Sequence, residues 1–466
     1  MPNFDFTHRA KLNLTNHKGW QIALASVSCV MLAVIWWFAP NPLVALALAI
    51  APLAILFVLN VPFLMVVLFV AFSFFRLHEV FPVIYNFKIP LMLSLGAIAA
   101  LGWHLLISQQ IQPYWNKELA TVSVFFALVV IGVIFAGNRP VAIAYFNNIY
   151  WKIALMTFAI SWLTREAKHF AFSSHINVIA GIMVALVALS NKANGIGLVE
   201  ETRVTIGREL GSVLGDPNDL ALVLMFPAAF AASLCVSPKL SAWSRILGLV
   251  GLIAVFAAVI ATQSRGGLLG IVTVLAVFGY RYIKSKALLG LIGTLGLAIL
   301  YLVAGISDRA SGGAAESGVD ESAMGRLYAW EAAFNMALDH PILGMGLDNF
   351  YYNYYYYSPH WDGLNHAVHS TWFGVLAETG FLGLGVFIYM IVVMIRSSLH
   401  SLKQIASHME QVPPAVFATA QAILAGLLGT VVSGTFLTQG FTWPIYILIA
   451  LVAAMSEWCR SHLPES

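Results

Sequence analysis

Six residues in this sequence have the chemistry to act on a charged, hydroxyl-bearing substrate: Arg203, Arg208, Arg265, Arg326, His366 and His369. Arg265 lies in Thr262-Gln263-Ser264-Arg265-Gly266-Gly267, between two apolar runs with almost no loop. An arginine at a span end costs free energy unless it snorkels, pairs or binds an anion. One reading is therefore an interfacial snorkelling arginine. The other is a phosphate clamp, because guanidinium is planar, always charged and bidentate toward phosphate. The glycines that follow permit close approach of a ligand. Arg203 and Arg208 stand five apart in a stretch that also holds Glu200, Glu201 and Glu209. Local salt bridges compete there with a grip on the same anion. Arg326 is either a partner for an acid on its own helix or a supporting cation. His366 and His369 form H-A-V-H at the start of an apolar run. Two histidines on one helical face can hold a metal, but no third ligand has strong spacing and there is no H-E-x-x-H. A hydrogen-bonded interfacial histidine and a general base are the other readings, since imidazole titrates near operating pH. No metal and no cofactor are expected.

These residues need elements to carry them, and composition says which. Of 466 residues, 60% are hydrophobic and only 10% are charged. A soluble domain carries about 25% charged residues, so a soluble enzyme and a nucleic-acid-binding protein are excluded. The net charge of +3 is too small to imply a polyanionic partner. Three dispersed cysteines do not form a disulfide framework. Apolar runs at 20–38, 43–59, 61–75, 90–107, 121–137, 149–163, 175–190, 218–236, 245–262, 266–283, 287–304, 370–395, 414–434 and 441–457 predict an all-α polytopic membrane protein. The pair around Asn60-Val61-Pro62 reads as one hairpin or a re-entrant element, so about 12–14 spans are expected. The run at 20–38 reads as a first span, without a signal-peptide cleavage site.

Charge then sets the topology. With residues 1–19 and 458–466 placed in the cytoplasm, the short basic segments Arg281–Lys286 and Lys239–Arg245 also fall inside. The bundle 20–304 then carries an outer loop at 191–217. A large outer loop spans 305–369, and the last helices lie in 370–457. The first loop ends in Asp216-Pro217-Asn218-Asp219, a turn and helix cap. The second holds eight of the 21 acids and opens with a Gly/Ser/Ala stretch. Asp320 or Ser322 then caps a helix in which Leu327, Trp330, Phe334 and Leu338 recur at helical spacing, ended by His340-Pro341. Tyr351, Tyr352 and Tyr354 to Tyr357, with Trp361, read first as an interfacial aromatic belt and second as a platform for sugar rings. Gly344-Met345-Gly346 follows a helix rather than a strand and is no dinucleotide motif.

The stretches G-R-L-Y-A-W (325–330), D-H-P-I-L-G-M-G-L-D-N-F (339–350) and H-S-T-W-F-G-V-L-A-E-T-G-F-L-G (369–383) resemble the shared core of the O-antigen ligase and polymerase superfamily. S-R-G-G (264–267) and D-P-N-D-L-A (216–221) resemble its upstream segments. The resemblance covers roughly 200–385 and implies a multi-spanning glycosyltransferase of the GT-C type in the bacterial inner membrane. Such enzymes take a glycan from undecaprenyl diphosphate on the periplasmic face, without a metal or nucleotide sugar. Ligases pass it to lipid A–core oligosaccharide, polymerases to another lipid-linked repeat, and protein ligases to Ser or Thr. By resemblance, His369 matches the catalytic histidine and Arg265 the arginine that grips the diphosphate. Arg203 or Arg208 matches its partner, and His366 is extra to the pattern. The expected reaction is lipopolysaccharide ligation by inverting displacement, with His369 as base. The expected partners are the lipid-linked glycan, the lipid A–core acceptor and membrane lipids, with no nucleic acid. A polymerase, a protein O-oligosaccharyltransferase and, from a different class, a lipid-linked glycan transporter are the alternatives. The nearly charge-free spans speak against the transporter.

Overall fold

In the computed structural model, which describes residues 42–303 and 321–464 with 26–27, 29–30, 33–34 and 36–37, the apolar runs are α-helices. The tail at 1–19, most of the run at 20–38, the cap expected at Asp320 and the Gly/Ser/Ala stretch lie outside the described residues. Helices suit such runs because lipid leaves every backbone N–H and C=O to be satisfied internally. They are α1 (Pro42–Asn60), α2 (Pro62–Ser73), α3 (Ile89–Gly102), α4 (Lys117–Ile134), α5 (Trp151–Leu163), α6 (Ala167–Asn194), α7 (Pro217–Val236) and α8 (Ala242–Thr262). Then come α9 (Arg265–Tyr282), α10 (Lys286–Val303), α11 (Glu321–Asp339), α12 (Phe350–Tyr357), α13 (Thr371–Ser407), α14 (Pro414–Ser433) and α15 (Trp443–His462). There is no strand among the described residues, only one isolated bridge between Val199 and Arg203.

Eight described helices are long and apolar enough to cross a membrane, or nine if a bent pair counts as one span. That pair is the end of α1 with α2, bent by 93° at Val61. Pro62 cannot donate to the preceding turn, so the chain turns there. His104 Nε2 sits 2.7 Å from the carbonyl of Leu59, just before the bend. Three further runs bear on the larger count expected. The run at 149–163 is α5, with only 13 residues. The run at 20–38 lies mostly outside the described residues, and the run at 287–304 is α10.

α7 is buried along nearly its whole length, against α6, α8, α9 and α14. The helices approach at small residues, as bilayer packing favours where lipid supplies no hydrophobic drive. A Cβ on Gly267 would lie 2.5 Å from that of Ala221, and one on Gly248 would lie 2.7 Å from the Ala231 carbonyl oxygen. α11 reverses the packing its sequence suggests. Its alanines 329, 332, 333 and 337 are buried with Met336, whereas Leu327, Phe334 and Leu338 are exposed. The large apolar side chains face outward because the small ones permit close packing on α13.

Contacts bring the starts of α7, α9, α13 and α15 and the ends of α8 and α14 to one end of the bundle. Arg203, Arg265 and His369 all lie there.

Candidate functional site

His369 sits immediately before α13, at φ +44. A non-glycine residue in the left-handed region costs about 1–3 kcal/mol and persists only where its surroundings hold it. Those surroundings are visible on both sides. On one side, Trp330 Nε1 donates to the carbonyl of Val368 at 3.1 Å, and its ring stacks on Phe373 with centroids 5.0 Å apart. On the other, Ser370 caps α13 by accepting from the Phe373 N–H. Thr371 N–H donates to the Gly434 carbonyl at 2.7 Å, and Thr371 Oγ1 donates to the Leu437 carbonyl at 2.7 Å. Thr371 Oγ1 also accepts from the Gln439 N–H at 3.0 Å. The histidines therefore precede the helix rather than share one of its faces. His366 pairs with Asp362 at 2.9 Å in the loop. Among the described residues no cluster of three His, Cys, Asp or Glu could hold a metal.

The glycines around this module act by close approach. α13 breaks at Gly380, at φ +68 and ψ −173. The break frees carbonyls that a continuous helix would have used. Met345 N–H donates to Ala377 O at 2.8 Å and Gly346 N–H to Glu378 O at 3.1 Å, while Phe381 N–H turns to Pro341 O at 2.8 Å. A Cβ on Gly344 would stand 2.4 Å from the Glu378 carbonyl carbon, and one on Gly380 would stand 2.6 Å from Pro341 O. The buried Glu378 carboxylate accepts from the Asp348 N–H at 2.9 Å and the Phe350 N–H at 3.4 Å. Burial raises the Asp348 carboxyl to about 6. Asn349 fastens the same loop to the turn after α4 by accepting from the Asn138 N–H at 2.7 Å.

The two arginines of the 191–217 loop have different fates. Arg203 is buried, 6% exposed. Its Nε donates to the Thr262 carbonyl at 3.1 Å, its NH2 to Asn218 Oδ1 at 3.0 Å, and it pairs with Glu200 at 3.5 Å. Ser264 Oγ donates to the same Asn218 oxygen at 3.0 Å while capping α9 through the Gly267 N–H. Arg203 thus ties the ends of α7, α8 and α9 together beside Arg265. Arg208 is exposed on a 3-10 turn, Arg208–Leu210, between Gly207 and Gly211 in left-handed conformations. Gly266, the residue after Arg265, packs on the 434–442 loop: its Cβ would lie 3.3 Å from Phe436 Cβ and Leu437 Cγ. That loop also holds Thr371, so Arg265 and His369 are braced by one segment.

Asp216, capping α7 through the N–H groups of Asn218 and Asp219, lends its charge to the same place. Burial lowers the His369 imidazole below its ordinary value, and the charges of Arg326 and His366 lower it further, against a smaller opposing pull from Asp216. The ring is therefore neutral near pH 7 and free to accept a proton. Arg326, half-buried on α11, reaches the site through this field.

Sequence reasoning missed three features. Glu79 is buried and accepts from Arg76 at 2.6 Å and from Ser212 Oγ at 2.5 Å, with His78 Nε2 at 3.4 Å. Ser212 N–H in turn donates to Gly207 O at 3.1 Å, so Glu79 clamps the turn that displays Arg208. Burial pushes the Glu79 carboxyl up, but hydrogen bonds from His78 and Ser212 and the Arg76 charge outweigh it and bring it to about 2. Arg76, His78 and Glu79 within an otherwise apolar stretch were the available signal. The 434–442 loop and the Trp330 anchor carry no such sign, because hydrogen bonds to backbone carbonyls leave no trace in residue type.

Residues 250–388 match the family described as O-Antigen ligase. The matched segment takes in Arg265, Arg326, His366, His369 and the glycine-locked loop, and leaves out Arg203 and Arg208. No curated protein matches the chain.

Proposed function

We propose, on the match of residues 250–388 to the O-antigen ligase family, that the chain belongs to the O-antigen ligase and polymerase superfamily and is itself an O-antigen ligase. It transfers a glycan from undecaprenyl diphosphate to lipid A–core oligosaccharide at the periplasmic face of the bacterial inner membrane. His369 accepts the proton of the acceptor hydroxyl. The hydroxyl oxygen attacks the anomeric carbon, the bond to the diphosphate oxygen breaks with its electron pair, and configuration inverts. Arg265 and Arg208 hold the leaving diphosphate and offset its developing charge. Arg203 stays in its buried frame and positions Arg265. Arg326 and His366 keep the base neutral.

The observation that carries this reading is the shared brace: one loop, 434–442, holds both the turn before α13 and the start of α9. A neutral imidazole and a guanidinium at one end of an apolar bundle suit a displacement with an anionic leaving group. The test is transfer by purified protein in nanodiscs with lipid-linked glycan and lipid A–core acceptor. His369→Ala and Arg265→Ala proteins that insert and fold normally should lose at least about 100-fold in rate. Near-wild-type transfer by either sinks its assigned role. Product analysis separates the neighbouring chemistries. A single transfer to lipid A–core supports the ligase, lengthening of the carrier-bound glycan supports the polymerase, and label on a Ser or Thr supports the protein ligase. Translocation without transfer supports a carrier.

A further inference from the structure

Two exposed patches of different chemistry flank the histidine module. The first is aliphatic and phenyl: Leu327, Phe334, Leu338 and Ile342 with Phe381 and Leu382 of α13. The rings of Phe334 and Phe381 meet edge to face at 6.2 Å. This patch runs on into the exposed face of α13 at Ile388 and Val392, an apolar surface of the kind that suits lipid tails. The second is α12. Phe350 and Tyr354 turn inward, and Tyr351, Tyr352, Tyr355 and Tyr356 form the outer face. Trp361 joins it, edge-on to Tyr355 at 4.6 Å. This face has phenol and indole groups and no aliphatic side chain. The segment that follows carries Ser358, His360, Asp362 and His366, with Leu364 also exposed.

We propose that this tyrosine face is the platform on which the acceptor's sugar rings lie. Flat aromatic faces cover the apolar C–H side of a pyranose while the phenol hydroxyls bond to its hydroxyls. Its position favours the acceptor over the donor. α12 packs on α11 and α13, and Tyr355 of the outer face meets Trp361 in the loop that leads through His366 to His369. The platform is thus continuous with the loop of His369, the group that receives the acceptor's proton. The diphosphate grip comes from α9 and the 199–219 loop instead. The proposal rests on the ligase reading.

The experiment titrates lipid A–core acceptor at fixed lipid-linked glycan, with full-length protein in detergent and in nanodiscs. The Tyr352→Ser/Tyr356→Ser protein should show an acceptor KM raised about tenfold in both media. Its donor KM and its rate at saturating acceptor should stay within about twofold, and Phe at both positions, which keeps the ring faces and loses the hydroxyls, should recover part of the lost acceptor affinity. The single Tyr356→Ser protein, altered at the most exposed ring, should show a smaller rise in the same direction if the double variant does not fold. An unchanged acceptor KM overturns the platform, and so does a shift in donor KM alone. A defect seen only in nanodiscs overturns it in favour of an interfacial belt. If wild-type protein makes no lipid A–core product, the ligase reading fails. Saturation transfer from aromatic protons to free core oligosaccharide, lost in the double variant, would still support the platform. Its absence from wild type would overturn it.

Discussion

The histidine limb, residues 339–380, and the arginine limb, residues 199–219, reach the same end of the bundle but are held in different ways. The first is interlocked by backbone. Ala377, Glu378 and Pro341 carbonyls are taken across the break at Gly380, and two glycines leave no room for a Cβ. The second is held by side-chain charge and hydroxyl groups: Arg203 on Asn218 and Glu200, and Glu79 on Ser212. A packed interlock tolerates almost no change of shape. An ionic frame tolerates shape changes but responds to charge and pH. The limb that carries His369 is rigid, and the limb that carries Arg203 and Arg208 is adjustable.

Four measurements can break or sharpen that contrast. The largest effect belongs to Gly344→Ala. Its methyl would strike the α13 backbone at a left-handed position, and destabilisation of about 4 kcal/mol is expected. Folded protein recovered by size exclusion should fall sharply, and recovery at wild-type levels would disprove the interlock. Next, Arg203→Ala leaves the buried Thr262 carbonyl without its guanidinium donor and Asn218 Oδ1 with Ser264 alone, at about 2 kcal/mol. Its melting temperature should drop by several degrees, and Arg203→Lys should not restore it because one ammonium cannot span both acceptors. Third, Arg208→Ala should melt like wild type yet raise the KM for lipid-linked glycan about tenfold. Equal melting losses for the two arginines would erase the distinction between frame and grip.

The smallest effect is Glu79→Gln, about 1 kcal/mol near neutral pH. The Glu79 carboxyl is depressed from 4.5 to about 2 in the folded protein. Its stabilisation is therefore complete above about pH 4.5 and fades as pH falls toward 2. The melting difference between wild type and Glu79→Gln should shrink between pH 6 and pH 3. A difference that stays constant means the clamp is not ionic.

Much of the fold was legible because lipid imposes one rule on every span. Hydropathy alone located α4, α7, α8, α14 and α15 to within a few residues. Asp216-Pro217 and His340-Pro341 marked a helix start and a helix end by local chemistry. The bend at Val61 was readable only as a choice between two shapes, since proline permits either. The outward face of α11 was not legible at all. Large apolar residues at helical spacing mean a core in water, but beside a bilayer they can equally face lipid, with alanines inside. At the site, His369 and Arg265 stood out because charge is scarce. Choosing between Arg203 and Arg208 required knowing which guanidinium was already occupied, and that depends on residues 15 and 59 positions away along the chain.

The brace at 434–442 also has a consequence for how the protein is made. Thr371 finds its partners at Gly434, Leu437 and Gln439, on the link between α14 and α15. α4 and α5 likewise wait for α15, through Asn116 to Ala453 and Ser161 to Ala450. A ribosome releases these segments only after every earlier helix has been synthesised. His369 emerges before the segment that braces it, and the end of the bundle that holds it closes as nearly the last act of biogenesis.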